Sequence, residues 1–173
     1  MTPKMKQQLL LNIENCSQVL SICLIAISTI SVPIFAQQMN FGSDLSGNNV
    51  TPPVNTIARG VAKFNLNQEN MAYELYVKNI KRVIGAHISL KDGTDLAQVF
   101  NPYVEIAGKS GIPTGEVNGQ LSKGIITSSD LSGPLFGKNV SDLANLMKNG
   151  SAYVVVRTQA HEEGEIQGQV VAK

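Results

Sequence analysis

The chain has 173 residues, of which 43% are hydrophobic and 16% charged, with 14 basic residues against 13 acidic. That length fits one domain of roughly 100–200 residues, and the composition excludes a disordered chain. Five Phe, four Tyr and no Trp mean that the core is built mainly from Val, Ile, Leu and Ala.

The first element in chain order is Val19 to Ala36, an 18-residue run without charge, preceded by Lys4 and Lys6 and followed at once by Gln37 and Gln38. A basic start, an apolar run and a small residue at a polar boundary make a secretory signal. Residues 1–36 are therefore expected to be a hydrophobic leader helix, and residues 37–173 the exported domain. Ala36 suits the position before a cleavage point, whereas Ile34 does not suit the place two earlier. The run also approaches the roughly 20 residues that span a bilayer. A cleaved signal peptide and an uncleaved N-terminal anchor both fit it. A buried core helix fits worst, because Pro33 interrupts the end and no polar face exists. Leu20-Ser21-Ile22-Cys23 makes a poor lipoprotein site, since Ile22 is too bulky just before the cysteine. The expected location is secreted or cell envelope, with the membrane touched only through the leader if it stays attached.

Taking Lys4 and Lys6 from the basic residues and Glu14 from the acidic ones leaves 12 of each in the exported part. A neutral body without basic runs gives no reason to expect nucleic-acid binding. Cys16 and Cys23 both lie in the leader. The exported part thus has no disulfide, no thiolate nucleophile and no cysteine metal site.

Beyond the leader, segments of alternating polarity are separated by Gly, Asn and Pro. Ala62, Phe64 and Leu66 share one face of a strand over Val61–Asn67, and Met71, Tyr73, Leu75 and Val77 share one face of the next, to Lys78. The short link Asn67–Asn70 predicts a hairpin. Further strands are expected at Met39–Leu45, Gly85–Leu90, Leu96–Phe100, Val117–Ile126, Ser151–Thr158 and Glu165–Val171. One helix is expected over Asp142–Lys148, capped by Ser141 and left through Gly150, with Leu143, Leu146 and Met147 on its apolar side. Strands at short intervals with one small helix predict an all-β fold, an antiparallel β-sandwich with Greek-key-like connections. Gly108-Lys109-Ser110-Gly111 lacks the spacing of a phosphate loop and reads as a turn.

Four segments resemble, in order and spacing, the CHRD (chordin-type) domain family. They are Leu45-Ser46-Gly47 leading to Pro52-Pro53, Gly85-Ala86-His87-Ile88, Gly150-Ser151-Ala152-Tyr153-Val154-Val155-Val156, and Gly164-Glu165-Ile166-Gln167-Gly168-Gln169. The resemblance covers nearly all of Phe41–Val171. It implies a small extracellular β-sandwich, found in secreted microbial proteins and repeated in chordin, an antagonist of secreted growth factors. The family pattern also implies histidines where this chain has Ser89 and Arg157. Three imidazoles on adjacent strands would make a zinc or copper cluster. Here only His87 of that trio is present, and Arg157 brings a fixed positive charge that repels a cation.

His161, with Glu162, Glu163 and Glu165, is the other candidate metal group, against the simpler reading of a solvated hairpin tip. His87, His161 and Glu165 are thus weak metal candidates, and no cofactor is expected. No nucleophile elbow and no His-Glu-x-x-His motif is present. With two histidines and no cysteine outside the leader, bases and nucleophiles are scarce. Three N-x-S/T sequons make Asn49, Asn139 and Asn149 candidate N-glycosylation acceptors.

If Ser151–Thr158 and Glu165–Val171 pair antiparallel about a turn centred on His161, residues equidistant from His161 face each other. Val155 then meets Gln167, Tyr153 meets Gln169, and Arg157 meets Glu165, an expected structural ion pair. The expected function is that of a non-catalytic exported module binding an extracellular protein or a surface glycan. The alternative is a metal-dependent extracellular enzyme, redox or hydrolytic, built on the degenerate histidine cluster.

Overall fold

The structure, a computed structural model, describes residues 38–103 and 115–173. The leader, its two cysteines and the Gly108–Gly111 turn lie outside the described residues. The segments of period two form strands β1 (Met39–Ser46), β2 (Arg59–Asn67), β3 (Asn70–Lys81), β4 (Val83–Ser89), β5 (Asp95–Phe100) and β6 (Glu116–Ile126). After α1 (Val140–Lys148), the one α-helix among the described residues, come β7 (Tyr153–Thr158), β8 (Ile166–Gln169) and the short β9 (Val171–Ala172).

All pairings are antiparallel, in the order β5-β4-β7-β8-β1-β2-β3-β6, with β9 also on β1. Consecutive strands β3 and β4 stand far apart in that order, so the chain crosses the fold at the corner residue Arg82 (φ 50°). The segment with α1, between β6 and β7, makes the same crossing a second time. The two outer strands approach each other: Tyr73 Oη and Ser122 Oγ donate to the Val99 carbonyl at 2.9 and 2.7 Å. The expected antiparallel all-β architecture is thus present, as a sheet nearly closed on itself.

The inward faces are those the alternation picks out. Ala62, Phe64 and Leu66 of β2, Met71, Leu75 and Val77 of β3, and Val154 and Val156 of β7 are all buried. Each large side chain so buried is worth about 1.5–3 kcal/mol. Helix α1 closes the core with Val140, Leu143, Ala144 and Met147, spaced for one helical face, while Leu146 is only half-buried.

Its N-cap is Asn139, not Ser141. Asp142, three residues on, accepts the Asn139 backbone N–H at 3.0 Å, a capping box that starts the helix two residues earlier. At the other end Gly150, at φ 69°, is the expected exit. Its N–H donates to the Met147 carbonyl, and the Ser151 N–H donates to that of Leu146. Those two bonds are the Schellman arrangement, which needs a left-handed residue there.

Candidate functional site

The outward face of β5, β4 and β7 carries one polar cluster. Gly85 pairs with Arg157 and His87 with Val155, while His87 also pairs with Gln98 on the other side. A Cβ on Gly85 would stand 3.0 Å from the His87 ring, so the missing side chain makes room for the imidazole. Arg157 reaches past this gap to β5 and grips Asp95 with two bonds of 3.1 Å, Nη1 to Oδ2 and Nη2 to Oδ1. Its Nη1 also lies 3.4 Å from His87 Nδ1, and the Gln98 amide lies 3.1 Å from Nε2.

Proton placement follows from the donors. A guanidinium only donates, and the Gln98 amide faces Nε2 with its nitrogen while its oxygen accepts from Asn101, so both ring nitrogens of His87 meet donors and a neutral ring accepts at one of them. The ring is held neutral. Burial lowers the His87 pKa from its ordinary 6.5 and the Arg157 charge adds to this, while Asp95 works in the opposite direction. Ser89, the other departure from the histidine pattern, is fully buried, and its hydroxyl has no hydrogen-bond partner among the described residues.

The register also corrects the expected geometry of a three-histidine cluster. Position 89 faces Tyr153, four residues from Arg157. A histidine at 157 would neighbour His87 but stand about 14 Å along the strands from position 89. Among the described residues no three His, Cys, Asp or Glu side chains converge as a metal site.

The expected ion pair between Arg157 and Glu165 is not formed. The β7–β8 register is the expected one, with Tyr153 opposite Gln169 and Val155 opposite Gln167. However, β7 is an interior strand with a second neighbour, and over Gly85 the guanidinium finds a bidentate partner in Asp95. Glu165 instead accepts hydroxyl protons from Thr56 at 2.7 Å and Thr158 at 2.8 Å.

His161 sits in the turn, where its backbone bonds both ways with Thr158. Its side chain and that of Glu165 line a shallow cavity of about 310 Å³ together with Lys81 and Arg82. His87 belongs to a different cluster. The three sequon residues Asn49, Asn139 and Asn149 are all exposed, at a 3-10 turn and at the two ends of α1.

A larger hollow lies on the outward face of β1, β2 and β3. There the row Gly42, Lys63, Glu74 runs beside the row Asn40, Asn65, Ala72. Because Gly42 and Ala72 are small, the longer neighbours enclose a mostly apolar groove of about 600 Å³. The C-terminal Lys173 closes one side, its N–H bonded to the Asn40 carbonyl and its aliphatic stem lying over Gly42.

Compared with known proteins, the family model for the CHRD domain matches residues 41–170. The chain belongs to the CHRD domain family. No curated protein and no solved structure matches it. In this CHRD chain, sequence reasoning found His87 and Arg157 but missed Asp95 and Gln98, which lie on a strand whose place beside β4 no local pattern reveals. The groove was missed too, although Gly42 and Ala72 are small residues on the polar face of two strands.

The neutral His87 gives the CHRD domain a pH dependence. The unfolded chain takes up a proton near the ordinary value of 6.5, while the folded domain does so only at lower pH. Stability from this residue is therefore complete above about pH 6.5 and is lost as pH falls through the lowered folded value. The melting temperature of the wild type is expected to fall relative to that of His87→Gln as the pH drops from 7.5 to 5. Parallel curves would show that His87 is not held neutral.

Proposed function

We propose that this CHRD module is exported and acts by binding an extracellular protein or glycan, without catalysing a reaction. The observation that carries this reading is that the groups around His87 are taken up chiefly by one another, with Arg157 Nε alone among them buried without a partner among the described residues. Arg157 spends its charge on Asp95, and both ring nitrogens of His87 have neighbours that are neither serine nor cysteine among the described residues. A guanidinium 3.4 Å from the imidazole opposes a metal ion there by charge alone. The charge-free run Val19–Ala36, with Lys4 and Lys6 upstream, supports export.

Crosslinking with mass spectrometry on intact cells, combined with N-terminal sequencing, tests the reading. The expected result is a crosslinked surface partner, with either a new N-terminus near Gln37 or an intact one in the membrane fraction. Intact protein in the cytosol would overturn export. A stoichiometric transition metal in the purified protein, or a melting temperature that drops on chelation, would overturn the non-catalytic reading.

A further inference from the structure

We infer that the groove on the outward face of β1, β2 and β3 binds a neutral oligosaccharide. The inference rests on the binding-module reading and names its ligand class. Three features of the groove argue for it. Its volume of about 600 Å³ falls within the roughly 300–1,000 Å³ of small-molecule sites. Its lining is mostly apolar, with Ala72 leaving room on the sheet and the aliphatic stem of Lys173 lying over Gly42. Its rim mixes hydrogen-bonding types: Lys63 and Lys173 donate, Asp44 and Glu74 accept, and the amides of Asn40 and Asn65 do both.

A pyranose ring presents the complementary chemistry. Its C–H face is apolar, and its edge carries hydroxyls that each donate and accept. Two cations and two carboxylates on the rim cancel, which gives no field for a sulfated, phosphorylated or sialylated ligand. A peptide strand is disfavoured because β1 and β2 are interior strands whose backbone ladders are occupied on both sides. The rim is also braced before any ligand arrives. Tyr76 Oη donates toward Glu74 at 3.3 Å, and the Lys63 amine stands 6.0 Å from the Tyr76 ring centroid. Preorganised side chains cost less to order on binding.

The test is an array of neutral, sialylated and sulfated oligosaccharides probed with the purified full chain, its Ala72→Trp variant and its Asn65→Ala variant. Neutral glycans are expected to be retained. Ala72→Trp fills the groove from an outward position and should weaken binding at least tenfold with an unchanged melting temperature. Asn65→Ala, which removes one rim amide, should weaken it severalfold and decides the matter if the tryptophan variant does not fold. No retained neutral glycan, or retention equal in both variants and wild type, would overturn the inference. If the array is negative but crosslinks on cells map to another face, the groove assignment falls and the binding-module reading stands. If neither method finds a ligand, both fall.

Discussion

Gly168→Ala is expected to abolish the folded domain or to destabilise it by about 3 kcal/mol or more. A Cβ at this position would fall within van der Waals contact of the Asp44 carbonyl oxygen, 2.8 Å from its carbon and 2.5 Å from Ser43 Oγ. Two of these atoms are backbone of β1, so no rotamer change relieves the overlap. β8 and β9 keep one register against β1, with Gln167 opposite Ser46 and Val171 opposite Gly42, so Gly168 cannot move without parting the two strands. Parting them would unpack Leu45 and Ile166, both buried in the core. Overpacking commonly costs about 1–3 kcal/mol when side chains can give way, and a rigid backbone contact belongs at or above that range. Against a total of about 5–15 kcal/mol this is a large fraction. Urea unfolding of Gly168→Ala beside Gly115→Ala, a glycine whose Cβ would meet nothing within 4 Å among the described residues, checks the claim. The Gly115 variant is expected within about 0.5 kcal/mol of wild type. A Gly168 variant that unfolds within 1 kcal/mol of wild type by that scale would show that the strands are not so closely opposed.

This contact explains a motif that the sequence presents only as letters. Gly164-Glu165-Ile166-Gln167-Gly168-Gln169 has a glycine at the close approach of two strands, a carboxylate taken by two threonines and a core isoleucine. Alternation alone showed which residues of β2 and β3 face inward, and the Asn67–Asn70 link gave their hairpin. It showed less about strand ends. β3 runs past the expected Lys78 to Lys81 because Asn79 takes a positive φ of 56° and the register shifts there, a local accommodation that Asn tolerates. The expected strand Glu165–Val171 is interrupted at Val170, whose N–H still donates to the Ala152 carbonyl in the β7–β8 register before Val171 pairs with Gly42 of β1. The helix start was legible in Asn139-Val140-Ser141-Asp142, where the acid three residues after Asn139 marks the cap better than the hydroxyl of Ser141.

The order of strands was not legible, and the Arg157 partner depended on it. Pairing about His161 correctly aligns β7 with β8, yet it says nothing of β4 and β5 on the other flank. Local parity predicts which face a side chain takes. It does not predict which of two neighbouring strands a long side chain will reach across.

A double-mutant cycle separates the two partners of Arg157. Its bidentate bond to Asp95 joins side chains 23% and 35% exposed, so water screens it in part and full burial energies do not apply. A coupling of about 1–2 kcal/mol is expected between Arg157→Ala and Asp95→Ala, above the usual exposed pair because both oxygens are engaged. Between Arg157→Ala and Glu165→Ala the losses are expected to add. Glu165→Ala still costs about 1–3 kcal/mol by itself, because the Thr158 hydroxyl is buried and loses its acceptor. The titration of His87 gives a second, independent readout. Its pKa is held down first by burial and further by Arg157, and held up by Asp95, so Arg157→Ala should raise it and Asp95→Asn should lower it further. Coupling to Glu165 with none to Asp95, or a His87 pKa that ignores both substitutions, would mean that Arg157 does not lie across β4.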